Sequence, residues 1–494
     1  MRAKKYELQN SKTFDKKVPQ SHPQNDGKRA AAAPLQRLSA ADDASRAPEK
    51  MIENKYIAPR ASSPPKDAPA VVASALELTL TKPVVVVGGG QSGAAAVREV
   101  KDWAGFVRAP HAQAPAAGAA GAAGWCQRGG GTMPEAAAWV AGRGAAWQFV
   151  DAVLRGASQV FLINNPLSGA LMLAAIGVGS WWQLCGGLLS LCAATAAAYE
   201  LGLPADARRA GLFGYNGVLT GSALALFHFG GDADTAAIMP QVAAPLLLCG
   251  AFSAVATAAV GRVTSSLLGL APFTFPFQLT TWMWLLAAQS SFTTVPLQAP
   301  APALRVVAAS GLDLAGGGLA FGYDVAELVA GSFRGVAQVF LIGDLTSGIL
   351  MVLAIGVSSP LSAAAALLGS AVGTFLGAGL GVPPAQLYAG LYGYNASLAA
   401  LCVGGLFFVL TRRSAAVALF AAAMATVCSA ATSAFLAPAG MPALTFPFCL
   451  ITWLFVLLGQ SAGPQGGLVP LALSSVSTAE EHRRLHVQWM KTQK

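Results

Sequence analysis

Charge is what this 494-residue sequence has least of: 11% of it is Asp, Glu, Lys or Arg, against about 25% in an ordinary soluble domain. The shortage is uneven. Between residues 156 and 470 there is no lysine and only 15 charged residues, whereas 18 of the 32 Lys and Arg precede residue 111. Paired cysteines are missing too. Cys126, Cys185, Cys192, Cys249, Cys402, Cys428 and Cys449 stand singly, with no CxxC, which gives neither a disulfide framework nor a zinc site a basis. Six of them lie in apolar runs and read as small buried apolar residues. The opening MRAKKYELQN has no apolar core, so no signal peptide is expected. The basic tail lacks a dense Arg/Lys run and interleaved aromatics, which argues against nucleic-acid binding. No set of nucleophile, base and acid converges, so no enzyme is expected, and no cofactor or metal is implied.

What is present is apolar: 54% hydrophobic residues with 54 glycines. That pattern predicts an all-α polytopic membrane protein carrying a charged N-terminal tail. Residues 1–75, rich in Lys, Ser, Pro, Gln and Ala, are expected to be disordered and cytosolic. Residues 112–147 read as an Ala/Gly linker. Between them, Val84 to Val87 followed by GGGQSG mimics a dinucleotide fingerprint. No second strand follows and no acidic residue stands about 20 residues on, so the phosphate-binding context is absent.

The chain contains itself twice. QVFLINNPLSG (159–169) recurs as QVFLIGDLTSG (338–348), and GLFGYN (211–216) as GLYGYN (390–395), both offset by 179; FTFPFQLTTW (273–282) recurs as LTFPFCLITW (444–453), offset by 171. Apolar segments near 148–163, 167–180, 182–201, 237–260 and 272–290 match others near 327–342, 346–358, 361–381, 414–436 and 443–461. A weaker, Gly-interrupted segment sits in each half, at 211–229 and 390–410. Each half therefore reads as five transmembrane helices plus one re-entrant helix. An odd number of crossings turns the second half upside down, which makes an inverted repeat about an axis in the membrane plane. Close packing of small residues accounts for much of the glycine, but not for one polar word of each kind in each half. The expected boundaries are an N-terminal tail 1–146, a first repeat 147–290, a connector 291–325, a second repeat 326–465 and a C-terminal tail 466–494. The lysine-rich tail places both termini on the cytosolic side.

An amide or hydroxyl at bilayer depth must find a partner, because an unpaired one costs several kcal/mol. Gln159 and Gln338 occupy matched apolar segments, and Thr274 and Thr445 each precede an aromatic-Pro-Phe. Pro276 and Pro447 are expected to free backbone carbonyls. Each residue alone is equally explained by a bond between helices; as symmetric pairs they suggest acceptors along one path. Tyr215 with Leu219, and Tyr394 with Leu398, are four apart and share a helix face, giving a flat slot or ordinary core contacts. Glu200, Asp324, Glu327 and Asp344 stand at or near segment ends, and no histidine lies within a confident crossing. Proton-coupled pumps use intramembrane carboxylates and histidines; their scarcity favours a passive path for a small, planar, neutral solute rich in N–H groups.

The words LRGASQVFLINNPLSG, GLFGYNGVLTG, PFTFPF, GVAQVF, GLYGYNASL and ALTFPFCLITWLF, and the ending AEEHRRLHVQWMK, resemble those of vertebrate-type urea transporters. The resemblance covers about 147–494. It implies a homotrimer in the plasma membrane, surrounded by lipid, with one pore per protomer through which urea passes down its gradient in single file. It places the urea filter on Gln159, Leu162, Tyr215, Leu219, Thr274, Gln338, Tyr394, Leu398 and Thr445. Other small neutral solutes (ammonia, water, short amides) and a non-conducting family member are the competing readings; an ammonia channel would be expected to show paired pore histidines. Two departures from the family pattern stand out. Gly343-Asp344-Leu345 replaces the usual Asp-Asn-Pro, so a rearranged helix end is expected there. Leu162 stands where an aromatic is usual, with Phe161 one position earlier, so a looser slot is expected. Asn395-Ala396-Ser397 is a glycosylation sequon inside a filter word and is expected to be unmodified. Arg412-Arg413-Ser414 reads either as a kinase site or as positive-inside charge.

Overall fold

The computed structural model describes residues 129–229, 239–290, 322–462, 467–471 and 477–492. The tail before residue 129, the fingerprint-like 84–106 and most of the connector, 291–321, lie outside the described residues. Within them the chain is helical, with one isolated β-bridge between Phe408 and Pro470.

Sixteen α-helices are described, and fourteen fall into two matched series. The first is α2 Ala145–Ser158, α3 Pro166–Gly179, α4 Trp181–Glu200, α5 Ala205–Arg209, α6 Tyr215–Phe227, α7 Met239–Val263 and α8 Phe275–Ser290. The second is α9 Val325–Ala337, α10 Leu345–Ser358, α11 Pro360–Gly379, α12 Pro384–Tyr388, α13 Tyr394–Leu401, α14 Arg412–Leu436 and α15 Phe446–Ala462. Helix α1 (Pro134–Ala141) precedes both, and α16 (Ala479–Thr492) follows. The last part of the stretch read as linker is thus helical: Pro134 opens α1 at a position where a missing N–H costs nothing.

The segments expected as the first two crossings of each half meet in one sharp bend. Ala145–Phe161 meets Pro166–Gly179 at 74°, and Val325–Phe340 meets Leu345–Ser358 at the same 74°. Each arm is shorter than the roughly 20 helical residues that usually span a hydrocarbon core of about 30 Å. Among the described residues four spans are long and apolar enough alone, Trp181–Glu200, Val242–Leu268, Pro360–Gly379 and Arg412–Ala439, or up to six if each bent pair counts as one. Helix length by itself therefore does not give five crossings per half. At 13 residues α6 is also short, about 20 Å. The outer faces of the long helices carry exposed Leu247, Leu248, Phe252, Leu368, Phe375 and Phe420, surface that suits lipid rather than water.

The bends have a local cause. A 3-10 turn, Gln159–Phe161, ends on Leu162 in the left-handed region (φ 54°), and its counterpart Gln338–Phe340 ends on Leu341 (φ 64°). The N–H of Ile163 then bonds the Ser158 carbonyl at 3.2 Å, and that of Ile342 the Ala337 carbonyl at 3.3 Å. Such crossed bonds close a helix C-terminus, normally with glycine; a leucine there costs about 1–2 kcal/mol. The next helix is capped at once: the Asn165 Oδ1 accepts from Ser168 N at 3.0 Å, and the Asp344 Oδ2 from Ser347 N at 2.7 Å. The expected rearrangement at Gly343-Asp344-Leu345 therefore does not occur, since aspartate caps as well as asparagine and the lost proline was not holding the bend. Asp344→Ala is expected to lower stability by about 1 kcal/mol, read as a lower unfolding midpoint of the detergent-purified protein.

The C-terminal tail is docked against the second half. The Glu480 carboxylate accepts from Ser359 Oγ (2.6 Å) and Leu361 N (2.7 Å), closing the start of α11, and His482 Nδ1 lies 3.0 Å from the Gly405 carbonyl. Ser414 is fully buried in the capping box of α14, so the Arg-Arg-Ser sequence offers no accessible hydroxyl in this fold.

Candidate functional site

Gln159 and Gln338 open the two 3-10 turns, and both are buried. Gln159 Nε2 donates to the Ala210 carbonyl at 2.9 Å, and Gln338 Nε2 to the Ala389 carbonyl at 2.8 Å. Committing each amide nitrogen to the protein leaves the amide oxygen as the group offered to a solute. The receiving loops come this close because the next residues, Gly211 (φ 73°) and Gly390 (φ 78°), lie in the left-handed region, and a Cβ on either would collide with the backbone of Gly156 or Gly335.

The threonines meet between the halves. Thr274 Oγ1 lies 2.6 Å from Thr445 Oγ1. Gln278 Nε2 donates to Thr445 Oγ1 at 2.5 Å, and Cys449 Sγ lies 3.3 Å from Thr274 Oγ1. The surrounding contacts are reciprocal at the repeat offset of 171. Trp282 Nε1 donates to the Pro442 carbonyl and Trp453 Nε1 to the Ala271 carbonyl, each at 2.8 Å. Phe275 faces Phe446 with ring centres 6.4 Å apart. Further out, Phe161 and Phe340, matched at the other offset, face each other at 6.1 Å. Phe273 (φ 48°) and Leu444 (φ 50°) take the left-handed conformation immediately before the threonines, the turn that delivers both hydroxyls to one point. Pro276 and Pro447 free no carbonyl, contrary to expectation. They stand in the first turns of α8 and α15, where no intrahelical N–H is due. The carbonyls four residues earlier, of Pro272 and Ala443, accept from Phe275 N (3.2 Å) and Phe446 N (3.4 Å).

A cavity of about 940 Å³ reaches this centre from one side, and Gln159, Leu162, Tyr215 and Thr274 line it together with Phe273 and Phe448. Four of the nine expected filter residues thus share one open space. Tyr215 holds the Phe273 carbonyl through its hydroxyl. Leu219 and Leu398 are fully buried in the core, against which Tyr394 is packed, and Thr445 and Gln338 are buried; none of these five lines the cavity. Leu162 rather than Phe161 faces the open space: Phe161 is turned into the core, which places an aliphatic side chain beside Gln159. The asparagines of the two GYN words are structural. Asn216 Nδ2 donates to Thr257 Oγ1 (2.9 Å), and Asn395 Nδ2 to Ser429 Oγ (2.9 Å) and the Leu444 carbonyl (3.2 Å). Asn395 is 1% exposed, which agrees with the expectation that its sequon is unmodified.

Sequence reading missed Gln278, Cys449, Thr281 and Thr452. Thr274, Gln278 and Thr281 stand at i, i+4 and i+7, as do Thr445, Cys449 and Thr452, so each set falls on one helix face. That spacing was the available signal. Thr281 and Thr452 are fully buried with unpaired hydroxyls, whereas Thr280 bonds back to the Pro276 carbonyl at 2.8 Å. Among the described residues no group of three His, Cys, Asp or Glu is placed to hold a metal ion.

Residues 150–460 match the family profile described as "Urea transporter". The chain is 33% identical over 359 residues to urea transporter 1 of Rattus norvegicus, covering 72% of this chain and 88% of that protein. It is likewise 33% identical over 361 residues to urea transporter 1 of Ovis aries, covering 73% and 89%.

Proposed function

The chain belongs to the urea transporter family, a family of membrane transporters rather than enzymes, and on that premise we propose that it carries urea passively, as a channel, between two pseudo-symmetric halves. The observation that carries this reading is the Thr274–Thr445 contact at 2.6 Å, flanked by two glutamines whose nitrogens are tied to matched carbonyls. Oxygens of Gln159, Thr274, Thr445 and Gln338 accept the amide hydrogens of urea in turn. Leu162 and Tyr215, which line the cavity, and Leu219, Tyr394 and Leu398 beyond its end supply the apolar walls along which its flat faces slide. Exchanging a water shell for fixed acceptors lowers the barrier for a neutral amide, while an ion loses more hydration than it regains.

The reciprocal tryptophan bonds and the paired aromatic rings support an inverted repeat, with halves at 147–290 and 326–465 and each bent pair and short helix contributing to five crossings plus one re-entrant helix. A homotrimer in the plasma membrane with both termini cytosolic completes the reading. The Asp344 cap, which keeps this helix end in the same form as its first-half counterpart, favours a conducting member over a non-conducting one.

Radiolabelled urea uptake by oocytes expressing this chain tests the function. Rapid uptake, indifferent to proton and sodium gradients, is expected; no uptake from protein present at the surface sinks the proposal. Thr274→Val is expected to reduce uptake about three- to tenfold at nearly constant volume, the worth of one hydrogen bond. Unchanged flux at equal surface expression would make Thr274 a purely structural residue.

A further inference from the structure

Gln278 is where the two polar stripes differ. Its partner position in the repeat is Cys449. Gln278 is fully buried and spends its Nε2 on Thr445, while its Oε1 has no partner. A buried amide oxygen left unpaired is destabilising, so its presence calls for a use.

The bonds around it allow one chain of hydroxyl bonds that runs from Gln278 to Cys449. Thr445 Oγ1 accepts from Gln278 and lies 2.6 Å from Thr274 Oγ1, which in turn lies 3.3 Å from the Cys449 sulfur. In the arrangement where Thr445 donates to Thr274 and Thr274 to Cys449, both hydroxyl hydrogens are spent inside the protein. What the centre offers a solute is lone pairs only: one on each threonine and those of Gln278 Oε1.

We propose that Gln278 is a further specificity-determining residue, its Oε1 accepting an amide hydrogen of the permeating solute beside the threonine pair. The centre is then a cluster of acceptors without a donor. It favours solutes that bring several N–H groups and disfavours those that bring only acceptors. This inference rests on the urea-transport reading above.

The test is a double-mutant cycle, read as urea uptake per surface-expressed protein in the wild type, Gln278→Met, Thr445→Val and the double variant. Gln278→Met is expected to lower uptake roughly tenfold, the loss of one buried acceptor, and by a similar factor again in the Thr445→Val background. Uptake within about twofold of wild type in Gln278→Met would overturn the proposal. So would a loss that vanishes when Thr445 is already valine, because Gln278 would then act only by orienting Thr445. Should Gln278→Met fail to reach the surface, Gln278→Cys carries the same test, since it installs the residue the fold already accepts at position 449. A wild type without urea uptake would refute the transport reading itself, a result distinct from any change between variants.

Discussion

Alanine at Gln338 is expected to abolish nearly all urea uptake while the protein still reaches the surface. The amide nitrogen is held by the Ala389 carbonyl, so the variant loses an oxygen whose position is set by the fold. A urea molecule at that point would face an apolar gap with its N–H groups unpaired. An amide without its hydrogen bond costs up to about 3 kcal/mol on protein-derived scales, or roughly 160-fold in rate. Gln159→Ala, bonded in the same way to Ala210, is expected to fall as far. Near-normal flux in both variants, with surface biotinylation unchanged, would remove the glutamines from the filter. Loss in only one would show that the two ends of the path are not equivalent, despite their matched geometry.

The second large effect concerns folding. Arg155→Met is expected to leave little protein at the surface. Arg155 is 2% exposed. It pairs with Asp151 at 2.7 Å and donates to the Thr132 carbonyl (2.9 Å), the Asn164 carbonyl (3.0 Å) and the Asn164 Oδ1 (2.8 Å). One side chain thus ties the segment before α1 to the first arm of the bend and to the loop that makes it. Breaking a buried pair by removing one partner costs about 3–5 kcal/mol, a large share of a typical total stability. Arg334 is the matched position and provides the control. It is paired with Glu327 at 2.8 Å, but the two side chains are 21% and 45% exposed, where an ion pair contributes about 0–1 kcal/mol. Arg334→Met should therefore express well. Equal surface levels for the two variants, compared by biotinylation and by size-exclusion profile in detergent, would contradict the argument.

Most of the architecture was legible because duplication turns one sequence into two observations. QVF, GYN and TFPF recur, and each pair meets or is used in the same way in both halves. The threonine pair could be named as a candidate because a hydroxyl before an apolar run is conspicuous. Gln278 was passed over because one glutamine in an apolar helix reads as a bond between helices until its oxygen is found without a partner. Pro276 and Pro447 were misread because a proline inside an apolar run looks like a helix interior. Only the left-handed Phe273 and Leu444 show that each helix begins there. The bends at Leu162 and Leu341 were hidden because leucine carries no signal for positive φ.

By itself the sequence determined what local chemistry determines: a chain too poor in charge to be soluble, helical because its apolar runs must satisfy their own backbone hydrogen bonds, and doubled because its polar words are. The tertiary structure alone decided which atoms of matched residues meet. It placed Thr274 on Thr445, and turned Phe161 inward and Leu162 outward. Those outcomes depend on contacts between residues 157 to 182 positions apart, such as Gln183 with Phe340 and Trp453 with Ala271. No periodicity along the chain encodes a distance of that kind, because it is set by how the two halves pack.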